Sequence, residues 1–219
     1  MLRWSLVMLM VLIGAAPATS STGSATTRAT IDLGTPKTAA RSLVSAVERE
    51  DVAGVKSILD GDESVPELSD VLAELLVASG RMASASTNRF GRSGDPIGRP
   101  MLTVNDPAKI EEAQVVEDKD QATLQIVGHR RPMTFRRRDG KWRLKTDAVA
   151  LVQEPAQLQI KLLKNMALAM NELAREINSG KYQSSAEAER YVQEKLHAVM
   201  IETFKPSKGP ATTRAATQP

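Results

Sequence analysis

The chain has 219 residues, 42% apolar and 25% charged, the make-up of a folded globular protein with room for one domain and an appendage. Aromatics at 3% leave the core to Leu, Val, Ile, Ala and Met, and a cysteine count of zero excludes disulfides, thiolate metal sites, thiol nucleophiles and a lipid-modified N-terminal cysteine. A net charge of +3 is too small to demand a polyanionic partner, but it is unevenly spread: residues 128–145 hold eight Lys/Arg against Asp139 alone.

The first 18 residues read as an export signal. "MLRW" supplies a positive charge, "SLVMLMVLIGAA" a short apolar stretch, and Ala16-Pro17-Ala18 a small-residue cleavage site. The apolar run from Leu6 to Ala18 is 13 residues, short of the ~20 that span a bilayer. The expectation is a signal cleaved near Ala18, a protein exported to the periplasm or the exterior, and no transmembrane segment in the mature chain. Residues 19–34, half of them Ser or Thr, read as a flexible linker, and residues 206–219 as a tail of the same kind.

Helical signals begin at Thr35-Pro36, an N-cap followed by proline at the first helical position. Ala40, Leu43, Val44 and Val47 then form one apolar stripe. Asp51 caps a short second helix carrying Val55, Ile58 and Leu59, which stops at Asp60-Gly61. Pro66 opens a third, with Leu68, Val71, Leu72, Leu75, Leu76 and Met82 facing inward. Residues 88–107, rich in Gly, Pro and Arg, read as a long loop.

Four strands with turn signals follow: "KIEEAQVVE" up to Asp118, "QATLQIVG" up to the "GHRRP" turn, "MTFRRR" up to Asp139-Gly140, and "KWRLKTDAV". Connections this short hold no crossover helix, so the expected sheet is an antiparallel meander. Asp-Gly between alternating runs is a two-residue hairpin signal. Counting outward pairs 138 with 141, 137 with 142, 136 with 143 and 135 with 144. Phe135, Leu144, Arg137 and Trp142 then share one face, and Arg136, Arg138, Lys141, Arg143 and Lys145 the other.

After Pro155, Leu163, Met166, Met170, Leu173 and Ile177 recur at three- and four-residue spacing, and Gly180 ends that helix. Ser184 and Glu187 form a capping box for a last helix with Val192, Leu196, Val199 and Thr203 or Phe204 inward. This pair, residues 151–205, is too short to be stable alone and needs the sheet, the first helices or a second copy to pack on. The predicted class is therefore α+β: N-terminal helices on a curved antiparallel sheet, then a C-terminal αα-hairpin.

"TPKTAARSLVSAVEREDVAGV" (35–55) and "RRDGKWRLK" (137–145) resemble the opening helix pair and closing hairpin of the nuclear-transport-factor-2-like superfamily, which includes SnoaL-like cyclases and ketosteroid isomerases. The resemblance covers residues 35–150 and implies a cone-shaped α+β domain. The chain departs from the pattern in lacking a recognisable β-hairpin between the second and third helices, in the 88–107 loop, and in the appended helices.

Enzymes of that superfamily place an Asp or His base, often with Tyr or Asp donors, inside the cone; here the first tyrosine is Tyr182, in the appended helices. His129 belongs to a turn and His197 to the last helix. Glu111, Glu112 and Glu117 flank an alternating strand and read as exposed. No HExxH, GxSxG, Walker or dinucleotide motif occurs, so no catalytic residue, cofactor or metal site is assigned. Arg137 and Trp142 are the candidate ligand contacts inside the cone. Arg136, Arg138, Lys141, Arg143 and Lys145 form a basic face. The absence of stacking aromatics on that face argues against nucleic acid.

Three functional readings follow. The first is an exported, non-enzymatic small-ligand-binding or scaffold protein, its partner a small molecule or a protein, with the helical pair serving packing or self-association and a homodimer as one option. The second is an isomerase- or cyclase-like enzyme using an inward glutamate. The third is an envelope protein docking on anionic surfaces through the basic face.

Overall fold

The computed structural model describes residues 30–61, 65–91, 107–127, 132–146 and 155–205. The residues read above as an export signal, most of those read as a linker, the 92–106 stretch, His129 and residues 206–219 lie outside these residues. In chain order the elements are α1 (Pro36–Glu48), α2 (Val52–Ile58), β1 (Leu59–Asp60), α3 (Pro66–Phe90), α4 (Pro107–Glu112), β2 (Gln114–Asp118), β3 (Gln121–Gln125), β4 (Met133–Arg138), β5 (Lys141–Lys145), α5 (Ala156–Asn178) and α6 (Ser185–Phe204).

The local signals act as their chemistry requires. Thr35 caps α1 by accepting from Thr38 N, and Thr38 returns the bond to the Thr35 amide. Asp51 accepts from Gly54 N at the start of α2, and Ser184 from Glu187 N at the start of α6. At the β4–β5 turn Asp139 and Gly140 take φ of 50° and 74°, the left-handed pair that matches the twist of a two-residue hairpin. Its register is the predicted one, Phe135 opposite Leu144 and Arg137 opposite Trp142.

The sheet corrects the expected meander in two ways. Its order is β1-β5-β4-β3-β2, with β1 parallel to β5 and the other pairs antiparallel, so it is mixed. The parallel pair is possible because α3 and the rest of the sheet lie between β1 and β5 in the chain, ample length for a crossover. The first meander strand also begins later than read. Lys109–Glu112 belong to α4, and alternation starts only at Gln114. Helix α3 runs through Asn88 to Phe90, shortening the predicted loop from its start.

Two apolar clusters share one helix. On the sheet side, Ala39, Ala40 and Leu43 of α1 and Leu72, Leu76 and Val77 of α3 pack on Ala122, Leu124, Phe135, Trp142 and Leu144. The opposite face of α3, with Val71, Leu75, Ala78, Met82 and Ala85, packs on Leu163, Met166, Met170, Leu173 and Ile177 of α5. Helix α6 closes this second cluster with Ala188 and Val192. The C-terminal hairpin is thus carried by α3 rather than by the sheet. Arg81 of α3 bridges the halves. Its guanidinium donates to Glu50 Oε2 after α1, at 2.5 and 3.1 Å, and to Asn171 of α5. The Arg81 hydrogen bond holds the Glu50 carboxyl below its usual range, against the opposing pull of burial.

Candidate functional site: the outer face of the sheet

Because side chains alternate along a strand, each strand of the meander divides its residues between core and outside. Phe135, Trp142 and Leu144 go inward, at 0%, 3% and 1% exposure. Arg136, Arg138, Lys141, Arg143 and Lys145 go to the other face, where Arg136 stands opposite Arg143 and Arg138 opposite Lys141. Gln121 and Thr123 of β3 and Val116 and Asp118 of β2 continue that face. The core clusters that bury the helices lie on the inner side. Val116 on the outer side is 67% exposed, so this face is open there.

Among the described residues one buried carboxylate, Asp60, answers these cations at close range. β1 places Asp60 beside Lys145 on the same face. Gly61 makes the placement possible, since a β-carbon there would stand 2.0 Å from Ser69 Oγ at the start of α3. The Asp60 side chain is 3% exposed, with Oδ1 3.0 Å from Arg138 Nε and Oδ2 3.4 Å from Arg136 Nη1. Thr146 Oγ1 donates to the Asp60 carbonyl at 3.3 Å, pinning the strand end. The Arg138 contact is an ion pair without a directed hydrogen bond, for Oδ1 accepts none. Arg143 Nε is likewise shielded from water and donates to nothing. Like charges directly opposite on antiparallel strands are destabilising, and this face has two such pairs for one buried acid.

The inner-face pair predicted from sequence is also brought together. The Arg137 guanidinium lies 5.8 Å from the centre of the Trp142 ring, within cation–π range. Trp142 is part of the packed core, its amide donating to Leu33 O at 2.8 Å, while Arg137 is exposed at the rim. Glu111, Glu112 and Glu117 are all exposed, and Glu111 pairs with Arg41 of α1 at 2.9 Å. The inward carboxylate that an isomerase-like mechanism requires is not among them. His197 is exposed on α6. No cluster of three or more His, Cys, Asp or Glu able to hold a metal ion occurs among the described residues, nor is any described helix long and apolar enough to cross a membrane.

Asp60 is the residue that sequence reasoning missed. It reads as the end of a helix, because a two-residue strand is too short to show alternation. Comparison with family models, curated proteins and solved structures finds no match to this chain.

Proposed function

We propose that this chain is an exported, non-enzymatic binding domain of the nuclear-transport-factor-2-like type, whose working surface is the basic outer face of its sheet and whose partner is an anionic membrane surface. The observation that carries this reading is the pair of like-charged cross-strand contacts, Arg136–Arg143 and Arg138–Lys141, on that face. Such contacts weaken an isolated sheet and are relieved by an external anion. The fold type is supported by the order of three helices, a short strand and a four-strand meander. β1, paired with the last strand, occupies the place between the second and third helices where the family's hairpin stands.

The test is co-sedimentation with vesicles of phosphatidylglycerol and phosphatidylcholine against phosphatidylcholine alone, from low to high salt. Each Lys near an anionic surface contributes about 1 kcal/mol, so Lys141→Gln with Lys145→Gln should weaken binding roughly 30-fold. Binding should also fall as salt rises. Equal binding to neutral vesicles, or binding indifferent to salt, would refute the docking surface.

A further inference from the structure

Three guanidinium groups and two ammonium groups share the outer face, and the one buried carboxylate beside them among the described residues, Asp60, is already engaged. Asp60 lies against Arg136 Nη1 and Arg138 Nε, leaving Arg143 Nε shielded and without an acceptor. A native buried donor without a partner calls for an explanation. Moving the Asp60 carboxylate across to Arg143 would only take it away from Arg136. A second acceptor group is needed, and the register sets where it would sit, between Arg136 and Arg143, which are Cα partners on adjacent strands.

We propose that Arg136 and Arg143 form a discrete site for a phosphate group, with Asp60 as the positioning residue that holds the Arg136 side of it. The site deepens the docking reading and rests on it, the ligand being the phosphate of a lipid headgroup at the surface that the rest of the face meets. The chemistry selects phosphate over a simple halide. A planar guanidinium presents paired N–H donors that match two oxygens along one edge of a tetrahedral oxyanion, and two forks side by side can share the two free oxygens of a phosphodiester. Gln121, the cross-strand neighbour of Arg136, adds a neutral amide on the same row. Asp118 lies one strand further out, about 10 Å from Arg136 at ordinary strand spacing. Lysines at positions 136 and 143 would supply charge without the fork.

Titration calorimetry on the full chain with inorganic phosphate, against chloride at constant ionic strength, tests the site. A saturable one-to-one isotherm is expected with phosphate and none with chloride. Arg143→Gln should weaken phosphate binding at least tenfold and Arg143→Lys severalfold, whereas Arg190→Gln, exposed on α6 away from the sheet, should change it less than threefold. Arg136→Gln gives an independent reading if the first variant melts early. No saturable heat with phosphate, or wild-type affinity in both Arg143 variants, would overturn the site. Vesicle binding in the same variants separates the two claims. Salt-dependent vesicle binding without saturable phosphate binding sinks the discrete site and leaves the docking face standing. Saturable, Arg143-dependent phosphate binding with no vesicle binding supports an anion site and sinks the membrane as its source.

Discussion

Gly80 sits in the interior of α3, facing α1, and a substitution there sets two known effects against each other. Helix propensity alone favours Gly80→Ala by about 0.8–1.0 kcal/mol. A β-carbon at that position, however, would stand 2.4 Å from Val47 Cγ1, with the Val47 carbonyl oxygen at 3.6 Å. Carbon atoms pack at about 3.5–4.0 Å, so the methyl groups overlap by more than an ångström. Val47 cannot easily step aside, because a β-branched side chain in a helix has one strongly preferred rotamer. Forcing an extra methyl into such a contact costs about 1–3 kcal/mol. Subtracting the propensity gain leaves a net loss near 1 kcal/mol. In a Val47→Ala background the opposing methyl is gone, and the same substitution should stabilise by about 0.8–1.0 kcal/mol. The sign therefore reverses, with a coupling of about 2 kcal/mol, within the range for residues in contact. Urea unfolding followed by circular dichroism on the four proteins of the cycle measures it. If Gly80→Ala stabilises both backgrounds equally, the close approach of α1 to α3 is wrong.

Two further perturbations probe the other elements. Burial alone would raise the Glu176 carboxyl, but hydrogen bonds from Lys181 at 2.7 Å and Tyr182 at 2.5 Å outweigh it and hold the group below its usual range. A depressed folded-state value means that the stabilisation is fully present above the unfolded value near 4.3 and is lost as pH falls through the folded one. The stability difference between the wild type and Glu176→Gln should accordingly shrink between pH 5 and pH 2, taken here as roughly the window of that transition. A difference that stays level across it would remove Glu176 from the network. Gly140→Ala adds a β-carbon that meets nothing within 4 Å, so its cost is backbone strain alone at φ 74°, about 1 kcal/mol. The melting temperature should fall by about 2–4 °C, and Gly140→Asn should recover most of the loss; equal losses in both variants would argue against the left-handed turn.

What could be read from the sequence follows the range of each signal. The Asp139-Gly140 hairpin and its division of Arg136 from Trp142 were legible because turn chemistry and alternation both act within ten residues. The α5 seam was legible because Leu163 to Ile177 repeat over four turns. Lys109–Glu112 misled because a single helical turn leading into Gln114–Asp118 leaves too little pattern to show where one period gives way to the other. β1 could not be seen at all: Leu59–Asp60 is a strand only because β5 lies beside it, a contact set 85 residues away. The packing partner of the C-terminal hairpin was one of the three possibilities left open, and the pattern that selects it was present in the text. Leu72 and Leu76 on one side and Val71, Leu75 and Met82 on another make α3 apolar on two faces, as a helix buried from both sides must be. Within the site, the five cations were legible and their shared counter-charge was not.

That doubly apolar helix has a consequence for synthesis. Val71, Leu75 and Met82 emerge from the ribosome long before their partners on α5, about 85 residues downstream. At ordinary elongation rates of about 5–20 residues per second, the wait is roughly 4–17 seconds. The N-terminal helices and the meander can form in that interval, but each nascent chain then shows a row of uncovered apolar side chains to its surroundings. The last helices to be made are the ones that end this exposure. A chaperone that recognises extended apolar surface would therefore meet this protein at its middle rather than at its ends, and chains long enough for α5 and α6 to have emerged would be released from it sooner than chains stalled at Lys145.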